Sequence, residues 1–401
     1  MDTSQAIDFE TSADPVACPD YAGDSADWAA ISVVLISITT FAAAQGLTYP
    51  LMSLALESSG VSETLIGVNA AFYAFGLALP TLLISRLTHW INGDRLLVLA
   101  IAGCAVCLAM FARFDAFWVW CAVRFVLGIC TGLVFILSEA WLSSACPENL
   151  RGRITGLFSA GLALGFAAGP LAIPVFGTED GSAFMLNAAY LGVVAFITLL
   201  LVRRTHTRPA ASSSGQIMGF VRKAPLLIAM VVVFGFVDIA AISTMPVYFV
   251  KTGHSEAFAA LSVTIMALPT AAAQPVIGFL LDKVPRILVV VGTCVIAACG
   301  FLLIPLLQSE MLILVVFGLI GATSFALYTC ALTILGEGFR GGFLVAGCAV
   351  FSLANALGSA GGSTVTGAAM NVFGPVATPL TASMALLVFA LAYGMACRRS
   401  M

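Results

Sequence analysis

The chain has 401 residues, of which 61% are hydrophobic and only 9% charged. A soluble domain carries about 25% charged residues, and 17 Lys and Arg with 20 Asp and Glu cannot coat a water-exposed surface of this length. A soluble enzyme, a nucleic-acid binder and a disordered scaffold are poor readings, the net charge of −3 offers nothing to a polyanion, and an integral membrane protein is the class that remains.

Taken in chain order, residues 1–27 carry Asp2, Asp8, Glu10, Asp14, Asp20, Asp24 and Asp27 with no Lys or Arg. A secretory signal needs a basic start and an apolar stretch, so residues 1–28 are expected to form an acidic, disordered cytoplasmic tail. Twelve apolar helices then follow, at 29–56, 64–86, 95–113, 117–140, 154–176, 183–202, 224–249, 258–281, 287–307, 311–335, 343–369 and 377–397. Each is close to the roughly 20 residues that cross a bilayer, and membrane helices tolerate the Pro and Gly found in several of them. The expected fold is all-α, with twelve transmembrane helices in two six-helix halves, 29–202 and 224–401. A basic cytoplasmic linker at 203–223 holds Arg203, Arg204, Arg208, Arg222 and Lys223 between them.

Orientation follows from the excess of Lys and Arg in cytoplasmic loops. With the N-terminus inside, fourteen of the 17 cations fall on the cytoplasmic side. Arg113 and Lys251 fall outside, and Arg124 lies within helix 4. Both termini are therefore expected in the cytoplasm. The two halves also match each other. Gly60-Val61-Ser62-Glu63 before helix 2 mirrors Gly253-His254-Ser255-Glu256 before helix 8, 193 residues later. Pro50 mirrors Pro246, and Glu139 with Arg151-Gly152 mirrors Glu337 with Arg340-Gly341. A parallel repeat of six helices is the arrangement of alternating-access carriers.

Four segments carry chemistry. Gly278-Phe-Leu-Leu-Asp282-Lys283-Val-Pro-Arg286 puts an acid and cations at a helix end, where they can pair across the halves in one gate state; an ordinary charge cluster is the alternative. The matching first-half position has Ser85-Arg86 and lacks the acid. Helix 4 carries Arg124 followed by Gly128 and Gly132. A guanidinium in lipid stays protonated and is costly, so it faces a cavity or a carboxylate, or snorkels to the interface. Helix 5 carries Gly161, Gly165, Gly169 and Pro170, glycines four apart that allow close helix approach. Asp238 lies near the middle of helix 7; a carboxyl group there is rare and usually faces a cavity. One that gains and loses a proton is what proton coupling requires. A structural Asp hydrogen-bonded to a neighbour is the alternative. Glu139 is a gate acid able to pair Arg151 or Arg153, or else a solvated helix end.

These segments resemble the major facilitator superfamily. The 278–286 segment is similar to its cytoplasmic loop pattern, G-x-x-x-D-[RK]-x-x-[RK], and Arg124-x-x-x-Gly128 to its helix 4 motif. The Gly-rich helix 5 resembles that of drug/proton antiporters, without the trailing Gly-Gly. Leu137-Ser138-Glu139-Ala140-Trp141-Leu142, Arg151-Gly152-Arg153 and Tyr73-x-x-Gly76 resemble the YcaD-like bacterial branch. The resemblance implies a cavity lined by helices 1, 4, 7 and 10. Candidate lining residues are Gln45, Tyr49, Arg124, Phe135, Asp238, Phe325 and Tyr328, with Asn69, Tyr73, Gln274 and Asn355 as second choices.

The expected function is secondary active transport of a small, largely apolar organic solute, proton-coupled, with Asp238, Glu139 and Arg124 as coupling residues. Efflux is favoured over metabolite uptake. A monomer in the bacterial inner membrane is expected. No phosphate-loop motif is present, so ATP hydrolysis is excluded. A membrane enzyme would need clustered catalytic side chains, whereas His89, His206 and His254 are scattered. A non-transporting assembly or sensor protein on the same fold stays open. Cys104-x-x-Cys107 lies in an apolar helix with no His nearby, and reads as small apolar filler rather than a metal or redox site; no metal or cofactor is expected.

Overall fold

The computed structural model describes residues 27–114, 116–145, 151–177, 181–203, 205, 217–339 and 342–399. The acidic tail and most of the basic linker lie outside the described residues. The regular structure described is helical throughout. Lipid offers no partner for a free backbone group, so a spanning segment must satisfy its own hydrogen bonds.

Helices 1–4 are Trp28–Ser58, Glu63–Trp90, Gly93–Phe111 and Phe117–Ala145. Helix 5 is Arg151–Ala168, continued by a tighter turn Gly169–Ala172 and by Ile173–Phe176. Helix 6 is Ser182–Val202. Helix 7 is Pro225–Ile239, then a π-turn Ala240–Thr244, then Met245–Lys251. Helices 8–12 are Glu256–Lys283, Arg286–Leu303, Glu310–Gly338, Gly342–Phe373 and Ala377–Arg399. Among the described residues, nine helices are long and apolar enough to span a bilayer unaided; helices 5 and 8 carry shorter apolar stretches, Ala160–Phe176 and Glu256–Thr270.

Several helices outrun their apolar segments. Helix 2 continues to Trp90, four residues beyond the expected end, and carries Arg86 and His89 on its last turns. Helix 8 continues to Lys283, so Lys283 ends a helix instead of lying in a loop. Hydropathy marks where lipid is met; the backbone hydrogen bonds carry on into the polar interface. The linker also gains structure. Ile217–Lys223 forms a short helix. Its Phe220 is fully buried, with ring centroids 5.0 Å from Phe339 and 6.2 Å from Phe351.

Close packing in lipid depends on small residues, because no hydrophobic force drives one helix against another. Gly165 and Gly169 of helix 5 lie on the backbone of helix 1 at Thr39, Ala43 and Leu47, and Gly46 lies on Phe166. A methyl group at any of these three glycines would collide with a backbone carbonyl. Gly76 and Gly128 do the same for helices 2 and 4. Between the halves, Gly67 of helix 2 meets Ser363 of helix 11, and Gly367 meets Glu63. Large apolar side chains such as Val106, Leu164, Phe196, Val315 and Leu391 are left exposed, as lipid contact requires.

The sequence repeat reappears as geometry. Gly60 and Gly253, the first residues of the two matched tetrapeptides, both have left-handed backbones, with φ of +72° and +95°. Each reverses the chain after helix 1 or helix 7, a conformation glycine adopts without penalty. Ser255 then caps helix 8 by accepting from the Phe258 N–H at 3.1 Å.

Candidate functional site

The first half gathers its polar side chains around Arg124. Helix 4 carries the guanidinium inward and leaves it 1% exposed, so it does not snorkel to the interface. Its central carbon lies 5.9 Å from the Tyr49 ring centre and 5.6 Å from that of Tyr73. The two rings meet edge to face at 5.3 Å. Gln45 donates to the Tyr73 hydroxyl, which donates to Thr131 at 2.9 Å. The Thr131 hydroxyl in turn lies 2.9 Å from the carbonyls of Leu127 and Gly128 on its own helix. These residues, with Ser37 and Thr40, line a cavity of about 20 Å³ closed in by helices 1, 2, 3, 4 and 6.

The second half is built differently. Asp238 is half-buried and stands two residues before the π-turn of helix 7. Such turns interrupt the regular ladder and recur at functional sites; Pro246 follows at the next turn. Among the described residues, Asp238 makes no ion pair. The Tyr49 hydroxyl lies within electrostatic reach of both Asp238 and Arg124. Beside it, Phe234, Phe325 and Tyr328 form an aromatic cluster with centroid separations of 5.2, 5.0 and 6.0 Å.

The halves are tied together on the face that carries the 1–2 and 7–8 loops. Lys251, the last residue of helix 7, pairs with Glu57 at 3.0 Å and Glu63 at 2.5 Å. Deeper in, the Ser53 and Ser243 hydroxyls lie 2.8 Å apart, and Thr264 donates to the Ala167 carbonyl at 2.8 Å. The structure is therefore closed on this face.

The other sequence candidates divide. Gln45 and Tyr49 share the cavity with Arg124, and Tyr73, a second choice from sequence, is at its centre. Phe135 packs on Phe41 at 6.0 Å instead of lining this cavity. Phe325, Tyr328 and Asn355 lie in the second half, outside it. The backbone and side-chain carbonyls of Asn355 lie against Gly235 of helix 7. Asn69 is buried and donates to the Cys121 sulfur at 3.5 Å. Glu139 is exposed, and its charge acts on Tyr328 and Cys348 of helices 10 and 11. The side chains of Asp282, Arg151, Arg153 and Gln274 lie outside the described set, so the proposed gate pairs do too. Lys283 extends over the Phe279 ring at 5.4 Å, and Arg286 and Arg86 are exposed.

Family membership is decided by the chain as a whole. The model of the Major Facilitator Superfamily matches residues 34–363. The chain belongs to this superfamily. It is 24% identical over 351 residues to YfkF of Bacillus subtilis, an uncharacterized MFS-type transporter, covering 86% of this chain and 88% of that protein. It is 26% identical over 330 residues to YcaD of Escherichia coli, also an uncharacterized MFS-type transporter, covering 80% and 84%. Among solved structures, the nucleoside transporter NupG superposes with a TM-score of 0.72 at 14% identity, over 91% of this chain and 98% of that one. A D-xylose-proton symporter superposes at 0.73 and 16%, over 92% and 97%. The chain is thus a multi-pass membrane transporter of the superfamily fold, and not an enzyme.

Sequence reasoning missed three things. The ion triad was missed because Glu57 and Glu63 lie at the ends of helices 1 and 2, Lys251 ends helix 7 in the other half, and no motif spacing links them. Thr131 is one hydroxyl among many, and nothing in its neighbours marks it. Cys130 of helix 4 meets both thiols of Cys104 and Cys107 on helix 3, and an isolated cysteine carries no such signal. Among the described residues, no group of three or more His, Cys, Asp or Glu side chains is arranged to hold a metal.

Proposed function

We propose that this superfamily transporter moves a small, largely apolar organic solute by alternating access, driven by protons that load and leave Asp238. The observation that carries the reading is the position of Asp238: mid-helix, without an ion pair among the described residues, within electrostatic reach of Tyr49 and next to a π-turn. A charge at this depth is expensive, so binding a proton there and releasing it elsewhere links protonation to the state of the helix. The aromatic cluster of Phe234, Phe325 and Tyr328 supplies an apolar wall for the solute. Arg124 and Glu139 are auxiliary: the first fixes the field around Tyr49, and the second bridges toward helices 10 and 11 on the face opposite the ion triad. The Lys and Arg bias puts that opposite face in the cytoplasm. Export is the favoured direction, on the likeness of Gly161–Pro170 to antiporters. The chain acts as a monomer.

A thermal-shift screen on purified protein supplies the solute, since a ligand stabilises by its concentration over its dissociation constant. In proteoliposomes with an imposed pH gradient, the Asp238→Asn variant should fold and bind but show no proton-driven flux above empty vesicles. Proton-driven flux equal to wild type would remove Asp238 from the mechanism.

A further inference from the structure

The cavity in the first half holds a full positive charge with no negative partner. Arg124 is 1% exposed, and its Nε and one terminal nitrogen are buried without a hydrogen-bond acceptor. None of the side chains lining the cavity is Asp or Glu. Asp238 is not among them; it approaches Tyr49 from the other half. The rings of Tyr49 and Tyr73 attract the guanidinium through their faces. They leave Nε and one terminal nitrogen unsatisfied, and a buried charge is retained only when paired and hydrogen-bonded.

A second group in the same cavity is orphaned. The Ser37 hydroxyl is 1% exposed and has no partner. Gln45 spends one amide N–H on Tyr73 and has another to give. The cavity therefore holds surplus donors and one fixed cation. Buried polar atoms without partners in a native fold call for a bound water or ion, and a site with a net charge of +1 and an excess of donors selects an anion. Size narrows it further. A cavity of about 20 Å³ is far below the roughly 150 Å³ that takes up benzene, so an organic body is excluded.

We propose that this cavity binds one small monovalent anion, of the size and charge of chloride, held by the Arg124 guanidinium with Gln45 as a further donor. Its effect is to neutralise the guanidinium inside the bilayer and fix helix 1 against helix 4. It is separate from the proton site, because Asp238 is not among the residues lining the cavity.

The test uses the full chain purified in detergent with gluconate, a bulky monoanion, as the sole anion. Gluconate is replaced by chloride or bromide at constant ionic strength. The thermal midpoint should rise saturably with either halide, following binding to the native state alone. Equilibrium dialysis with radiolabelled chloride should give one ion per chain, and Arg124→Gln should abolish both signals. Coincident midpoints in gluconate and chloride, or no bound label, would overturn the proposal on the wild-type protein alone. Saturable chloride binding unchanged in Arg124→Gln would overturn it as well. Stabilisation by acetate or benzoate but not by chloride would assign the guanidinium to the solute's own acidic group, and would also overturn the free-ion site. None of these outcomes depends on proton-driven flux, so the coupling role of Asp238 stands or falls independently.

Discussion

The two halves share a fold and a loop signature, but their interiors are built on opposite plans. The first half surrounds a buried cation with a chain of hydrogen bonds, Gln45 to Tyr73 to Thr131, while glycine contacts are common to both halves, Gly165 and Gly169 on helix 1 and Gly358 and Gly362 on helix 7. The second half places an acid beside aromatic rings on a helix whose ladder is interrupted at 240–244. A hydrogen-bonded frame resists deformation. A helix with a π-turn followed by Pro246 can change its bend without breaking many bonds. The difference gives the first half a rigid polar frame and the second a helix that is interrupted beside its acid.

This contrast can be broken at several points. The largest effect on stability is expected at the frame. Gly169→Val drives a branched side chain into the backbone of helix 1 at Ala43 and Leu47. A cost of about 3 kcal/mol, the upper end for overpacking, should appear in detergent-mediated unfolding. By comparison, Gly67→Val meets helix 11 across the halves, and parting the halves relieves it. Its unfolding should be close to wild type, while a cysteine introduced on the 1–2 loop face becomes more reactive to a water-soluble maleimide. If Gly67→Val unfolds as readily as Gly169→Val, the halves are as rigidly joined as the helices within them.

A smaller effect is expected for Tyr73→Phe. It removes one hydroxyl that both accepts from Gln45 and donates to Thr131. Leaving those partners unsatisfied costs about 1–3 kcal/mol. The loss should be absent in Tyr328→Phe, whose ring acts by stacking on Phe234 at 5.0 Å. Equal losses in the two would erase the distinction between a polar frame and an apolar wall.

The smallest energetic effect belongs to Lys251→Gln. An ion pair at a helix end is worth about 0–1 kcal/mol, so stability should hardly change. Because Lys251 bridges both halves, the equilibrium between open and closed states should still shift toward opening on this face. Distances measured by spin labels across the 1–2 and 7–8 loops would report it. An unchanged distribution would leave the closure to Ser53, Ser243 and the glycine contacts of helices 2 and 11.

Much of this protein was legible in one dimension. A span in lipid must be apolar and must satisfy its own backbone, so the helices are written as runs of hydrophobic residues, and the few intramembrane charges stand out against them. Arg124 and Asp238 were found for that reason. The paired Gly60 and Gly253 were legible too, because a left-handed turn demands a particular residue. Gln45, Tyr49 and Tyr73 were drawn from helix position, and the structure joins them. Phe135 was drawn from the same rule and packs elsewhere, because an aromatic at helical spacing looks the same whether it faces a cavity or a neighbouring helix.

What the sequence determined alone is therefore the class, the helices, their likeness to a transporter superfamily and the positions of the costly charges, since each follows from local composition in a low-dielectric solvent. Tertiary structure alone decided the partners. It brought Tyr49 within electrostatic reach of both Arg124 and Asp238, closed one face with Lys251, Glu57 and Glu63, and enclosed the guanidinium among donors with no acid beside it. Those relations join residues up to about half the chain apart. They depend on which way helices rotate and how closely glycines let them approach, and neither is encoded within a single helix.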